Sequence, residues 1–186
     1  MKPPYRDPFF RFLNGIVRLA PVRPKSFQNT ILVQKDLVSN DIVPASPPLT
    51  GCEFRLLEPS DIPHLETRPY SLPAGAYQRR FEAGHIALCA VVDGVIAGYN
   101  WAAFSHACYM FGTDEQMISF PLAKDTAYVY DFFVFEDFRG RGIGPVMKQH
   151  MYEHLKKEGY RRSISAIFFT NSVSLKIALR LGGKPF

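Results

Sequence analysis

Between residues 138 and 145 the chain reads FRGRGIGP, so that Arg139, Arg141 and Ile143 alternate with Gly140, Gly142 and Gly144. Such a run suits phosphate. Glycines let oxygen atoms approach a backbone that a Cβ would shield. A turn that feeds a helix also aims unpaired N–H groups, and the positive end of the helix dipole, at one point. Arg139 and Arg141 add charge. Two phosphate loops are excluded by the neighbouring residues. A Walker loop needs Lys and Ser or Thr after its last glycine, where Pro145 and Val146 stand. A dinucleotide fingerprint needs glycine at 145 or 147, where Pro145 and Met147 stand.

The elements around this loop follow from period and punctuation. Residues 126–135 (TAYVYDFFVF) are almost wholly β-branched or aromatic and predict a strand leading into the loop. Residues 144–158 place Met147, Met151 and Leu155 four apart, with Gly159 as a stop, and predict a helix leaving it. Upstream, residues 52–57 alternate as a strand, and Glu58-Pro59-Ser60-Asp61 opens a helix that Ser60 or Asp61 can cap. Residues 85–92 and 95–104, joined by Asp93-Gly94, form a hairpin whose turn supplies positive φ angles. Downstream, residues 163–169 predict a strand, and residues 171–181 a helix ended by Gly182-Gly183. The expected class is α/β (α+β), a mixed sheet with flanking helices.

The loop also fits the pattern [R/Q]xxGxG, as Arg139, Gly142 and Gly144. Together with the strand before EPSDIPHL, the Asp-Gly hairpin and the segment from Asn171 and Ser174 to Leu181-Gly182, the chain from residue 52 to 186 resembles the GNAT superfamily of acyl-CoA-dependent N-acyltransferases. The stretch YDFFVFEDFRGRGIG is similar to the spermidine/spermine acetyltransferase branch, although Tyr130 stands where that branch carries the first acid of a pair. The resemblance implies acetyl-CoA as cosubstrate, with the backbone of Phe133, Val134 and Phe135 pairing with its pantetheine arm between two splayed strands. It implies pyrophosphate on the amides from Arg139 to Gly144, and Asn171 with Ser174 as a second cofactor-proximal pair. An amine would attack the thioester directly, which calls for a base, an oxyanion donor and an acid. Asp131, an acid embedded in an aromatic strand, is the expected base or amine-binding carboxylate, since burial raises a carboxylate's basicity. Its competing reading is a solvated or Arg-paired acid on the other strand face. The family's acid, a Tyr on the last helix, is Ala178 here, which leaves Tyr128, Tyr130 or water as the source.

The acceptor expected from this resemblance is an amine of a small molecule or peptide. Two alternatives stand beside it: a catalytically silent module that binds CoA or a partner, and an acyltransferase that uses longer chains. The family usually continues past the last helix with two strands. This chain is expected to lack them, so that the N-terminal segment or a second copy in a homodimer covers the open edge.

Composition bounds the remaining classes. The 186 residues carry 22 Lys and Arg against 17 Asp and Glu, and four of the net +5 charges fall in residues 1–50, which also hold eight of the 15 prolines. The expected organisation is a basic, proline-rich extension over residues 1–50 and a nearly neutral domain over 51–186. Within the extension, residues 8–20 have the spacing of an amphipathic helix and residues 29–33 that of a short strand. The basic excess therefore gives no reason to expect nucleic acid. With no run of about 18 apolar residues, no membrane insertion is expected, and the expected location is cytoplasmic. Cys52, Cys89 and Cys108 form no CxxC pair, and His150 and His154 lack a third ligand nearby, so no metal site is expected. Trp101 and Tyr99 are expected to pack in the core.

Overall fold

The computed structural model describes residues 30–38, 51–68, 72–111, 116–168 and 170–185. The amphipathic stretch over residues 8–20 lies outside the described residues, as does the side chain of Cys108. The elements run β1 (Thr30–Asp36), β2 (Cys52–Leu56), α1 (Ile62–Glu66), α2 (Ala76–Glu82), β3 (Ile86–Val92), β4 (Val95–Ala103), β5 (His106–Phe111), β6 (Gln116–Pro121), β7 (Thr126–Val134), α3 (Ile143–Lys157), β8 (Arg162–Phe168), α4 (Ser172–Arg180) and β9 (Lys184–Pro185).

Seven strands form one sheet in the order β2-β3-β4-β7-β8-β1-β9, and β5 with β6 forms a separate hairpin. The β3–β4 turn is the one expected from Asp-Gly, with φ +50° at Asp93 and +78° at Gly94. The joint between β2 and α1 is held by Asp61. Its two oxygens accept from the Arg55 guanidinium at 2.8 and 2.9 Å, and one of them also accepts from the Glu58 N–H at 2.8 Å. The hairpin β5–β6 has no counterpart in the sequence reading.

Beyond β8 the sheet is completed from the N-terminal side. β1 pairs antiparallel with β8 along all seven of its residues, and its outer edge takes two residues of β9. The strand expected at residues 29–33 thus belongs to the same sheet as the rest, so the compositional change near residue 50 does not divide two sheets. The edge beside β8 is covered by the N-terminal segment, the first of the two alternatives expected. A C-terminal strand is also present, although β9 is short and joins β1 rather than β8. Val33 of β1 packs with Ile167 and Ala178, and Gly183 is tight there, because a Cβ would lie 2.7 Å from both Val33 and the Ala178 carbonyl.

Each face of the sheet carries a helical layer. On one face Leu65 of α1 and Tyr77 of α2 pack with Cys89, Tyr99, Trp101 and Phe135. On the other, Ile143, Met147, Met151 and Leu155, spaced four apart on α3, pack on Leu88, Ala97, Ala102 and Val129. Burying each of these large side chains contributes roughly 1.5–3 kcal/mol. Lys148, on the same helix, is also buried. Its ammonium lies 5.3 Å from the Phe132 ring centroid and 5.9 Å from that of Tyr152, and burial lowers its pKa from 10.5 to about 8.

Two substitutions test this packing. Gly98 on β4 faces β7 so closely that a Cβ would lie 2.5 Å from the Phe133 carbonyl oxygen and 3.1 Å from the Val134 Cα. Gly98→Ala should therefore push two backbones apart and lower stability by about 2–3 kcal/mol in urea denaturation; a loss under 0.5 kcal/mol would show that the strands are not held so closely. For Lys148, the folded chain gives up the proton near pH 8 and the unfolded chain near 10.5, so stability rises with pH between those values. Lys148→Met should stabilise by about 3 kcal/mol near pH 7 and far less near pH 10.5. An equal gain at both pH values would contradict a buried, desolvated ammonium.

Candidate active site

The site is built around an irregularity in β7. Tyr130 pairs with Trp101 and Phe133 with Tyr99, so Asp131 and Phe132 together face the single residue Asn100. This is a β-bulge, and Asp131 adopts φ +43° within it. In a regular strand Asp131 would point to the face opposite Tyr130. The extra residue restores it to the same face, on the α1 and α2 side, and sends Phe132 to the α3 side. There the Phe132 ring would come within 3.0 Å of a Cβ on Gly144. The Asn100 amide, fully buried opposite the bulge, has no hydrogen-bond partner among the described residues.

On its other edge β7 pairs in parallel with β8 only from Thr126 to Tyr128, and the two strands then part. The backbone facing this gap is narrower than expected. Phe135 donates its N–H to the Ala97 carbonyl at 2.9 Å and accepts from the Phe138 N–H at 3.0 Å, so both of its groups are used. By the two-residue alternation of the ladder, Phe133 also bonds toward β4. Val134 is left to turn its N–H and carbonyl toward the gap. The Val134 carbonyl accepts from Arg139 Nε at 2.9 Å. The expectation that Phe133 and Phe135 pair across the gap is thus corrected by the ladder register.

A cavity of about 750 Å³ occupies the gap, lined by Phe132 to Val134, the glycine loop and the first turns of α4. Gly140 and Gly142 both have φ +75°, which suits glycine, and α3 starts at Ile143. The Arg139 N–H bonds to the Glu136 carbonyl, so the amide set begins at Gly140 rather than at Arg139. Gly140, Arg141 and Gly142, followed by the first helical amides of Ile143 and Gly144, present the unpaired donors that a helix start leaves. Arg139 is folded back, with Nη1 3.2 Å from Glu136 and its guanidinium 5.5 Å from the Phe133 ring centroid. Arg141 lies over Phe138 at 5.4 Å. Asn171 and Ser174 both line the cavity, and the Asn171 side chain caps α4 by accepting the Ser174 N–H at 3.1 Å. Ala178 is buried in the core with Val33 and Ile167.

Proton-active groups gather on the opposite side of β7. The Asp131 carboxylate pairs with Arg80 at 2.5 Å, with side chains 24% and 20% exposed. It is therefore the Arg-paired acid of the alternative reading, not an isolated buried one. Tyr130 and Tyr128 stack nearly parallel, at 7° and 5.5 Å, and the Tyr130 hydroxyl lies 2.7 Å from His85 Nδ1. Burial, followed by the charge of Arg80, lowers the pKa of His85 below its ordinary value of 6.5. His85 is therefore neutral near pH 7, with one ring nitrogen able to accept a proton. Arg80 and His85 were missed in the sequence. Neither belongs to a motif, and only the fold brings residues 51 and 45 positions away to Asp131 and Tyr130.

Comparison with known proteins agrees with this geometry. The family model for the GNAT acetyltransferase family matches residues 54–182. A search of curated proteins finds no match. Among solved structures, a conserved protein of unknown function from Staphylococcus epidermidis superposes with a TM-score of 0.54 at 12% identity, over 84% of this chain and 57% of that one. A tandem GNAT protein from the clavulanic acid biosynthesis pathway gives 0.56 at 20% identity, over 84% of this chain and 50% of that one. The chain thus spans about half the length of these two. AAC(6')-Iy, solved with a CoA-linked bisubstrate analog, gives 0.51 at 20% identity, over 70% of this chain and 89% of that one. With the bulged strand, the glycine loop and the parted sheet in place, the matched span shows that the chain belongs to the GNAT acetyltransferase family.

Proposed function

We propose that the chain is an acetyl-CoA-dependent N-acetyltransferase acting on an amine of a small molecule or peptide. One observation carries this reading: β7 separates a cavity built for a phosphate-bearing arm from a cluster of groups able to handle an amine and its proton. The family uses acetyl-CoA, and the residues present fit it. A helix start with free amides, two glycines at positive φ and nearby arginines suit pyrophosphate, and the Asn100 amide is left without a partner beside the bulge.

Acetyl-CoA supplies a thioester, and the chain supplies position and proton handling. Gly140, Arg141, Gly142, Ile143 and Gly144 would hold the pyrophosphate, with Asn171 and Ser174 closing the cavity from α4. Val134 would pair with the pantetheine arm once Arg139 releases its carbonyl. A bulged residue leaves an N–H outside the ladder, which suits charge developing on a carbonyl oxygen. Asp131 would hold a positive charge that the acceptor carries. Tyr130, backed by neutral His85, would take the proton from the attacking amine and return one to the departing sulfur, in place of a tyrosine at position 178. Tyr128, stacked behind Tyr130, holds the ring in position. The similarity to AAC(6')-Iy, solved with CoA-S-monomethyl-acetylneamine, supports a small-molecule amine as acceptor.

Release of free thiol from acetyl-CoA across a panel of amines tests the proposal. Transfer to at least one amine is expected; saturable CoA binding with no thiol release from any amine would instead make the chain a silent binding module. Asp131→Asn and Tyr130→Phe should each lower kcat/KM for the amine by about 10²-fold, with CoA affinity within about twofold of the parent. The pH profile gives a separate check. His85 works as the neutral base, so kcat should fall as pH drops through its lowered pKa, on an acid limb centred below 6.5. In His85→Gln that limb should vanish. A limb unchanged in the variant would remove His85 from the chemistry.

A further inference from the structure

The surroundings of Arg80 resemble a binding site filled from within. Its guanidinium carbon lies 5.0 Å from the Trp101 ring centroid and 5.0 Å from that of Tyr130, while Nη1 meets the Asp131 carboxylate. Two aromatic faces and an acid around one position make a cage for an organic cation, because ring quadrupoles attract positive charge and the carboxylate neutralises it. Trp101 is fully buried beneath Arg80, whereas Arg80 and Asp131 remain 20% and 24% exposed, so the cage opens to solvent on the Arg80 side. The floor is fixed: Trp101 stacks on Tyr77 and meets Phe81 edge to face, and Tyr130 is held by Tyr128 and His85. The occupant is the movable part, a long side chain on the seven-residue helix α2. The bulge at Asp131 creates the cage, since only the extra residue brings that carboxylate to the face of Tyr130 and Trp101.

We propose that Trp101, Tyr130 and Asp131 form a cation subsite for the acceptor and that Arg80 is its tethered stand-in. The acceptor would then carry, besides the amine that is acetylated, a second cationic group, guanidinium or alkylammonium, that displaces Arg80. This rests on the acetyltransferase reading for the word acceptor, but the subsite can be tested without turnover.

The chain's single tryptophan is Trp101, so intrinsic fluorescence reports on the cage directly. Ethylguanidinium and ethylammonium are titrated into the full chain, into Arg80→Met, which keeps an aliphatic stem over the rings, and into Arg80→Ala. Propionamide serves as the neutral control. In either Arg80 variant the two cations should change Trp101 fluorescence saturably, with Kd about 1–10 mM, and propionamide should not. In the parent the same cations should bind at least about 10-fold more weakly, because tethered Arg80 competes at high effective concentration. Adding Asp131→Asn to Arg80→Met should weaken the cations at least about 10-fold. Far-UV circular dichroism and CoA affinity matching the parent show that a variant is folded, and two such variants guard against one failing. A folded Arg80 variant that shows no saturable response, or responds equally to propionamide, overturns the subsite.

Turnover separates the two readings. Acceptors with a second cation should exceed neutral-ended acceptors of equal length by at least about 10-fold in kcat/KM. Equal values would overturn the subsite and leave acetyl transfer standing. Saturable cation binding with no transfer to any amine would do the reverse.

Discussion

Strand β7 can satisfy β4 along one edge and β8 along the other only where all three run in register, and that condition ends at Tyr128. Past that point β7 stays with β4, as the bond from Phe135 to Ala97 shows, and β8 parts from it. Unpaired backbone inside a sheet is costly, since each buried polar group without a partner loses about 1–3 kcal/mol. The opening is tolerable because the Arg139 side chain serves the Val134 carbonyl and because α3 and α4 wall the gap from one side. The same strand carries the bulge that returns Asp131 to the face of Tyr130. Cavity and polar cluster thus both follow from departures from regular pairing on one strand, the first on its β8 edge and the second on its β4 edge.

The sheet beyond β8 supports that departure. A parted strand with a free outer edge would have little to hold it in place. β1 bonds to β8 along its whole length, Val33 packs against Ile167 and Ala178, and Leu37 is fully buried in the main core. Position 178 belongs to this brace. Its side chain fills core beside the close contact at Gly183, and the tyrosine and histidine that meet, Tyr130 and His85, lie on the other side of β7.

Much of this was legible in the sequence wherever the signal was local. Asp93-Gly94 dictated its turn, the alternating glycines marked the loop, and the four-residue spacing of Met147, Met151 and Leu155 marked α3. The bulge was hidden, because residues 126–135 are apolar toward both faces and so show no two-residue period from which a slip could be read. The N-terminal segment could be expected at the open edge, but the seven-residue register of β1 on β8 could not be read, because strand pairing across more than a hundred residues leaves no trace in local composition. Arg80 and His85 were hidden for the same reason. Each is an ordinary surface type in its own segment, and only the placement of α2 and the turn after it on the face of β7 brings them to Asp131 and Tyr130.

We propose that β7, with its bulge and its parted edge, is the surface on which the cosubstrate is laid. A crystal structure with CoA bound tests it most directly. A pantetheine amide is expected about 3 Å from the Val134 carbonyl, with Arg139 displaced from that oxygen, and pyrophosphate oxygens on the amides of residues 140–144. CoA seated away from the glycine loop, or Arg139 still on the Val134 carbonyl with the arm bound elsewhere, would contradict it.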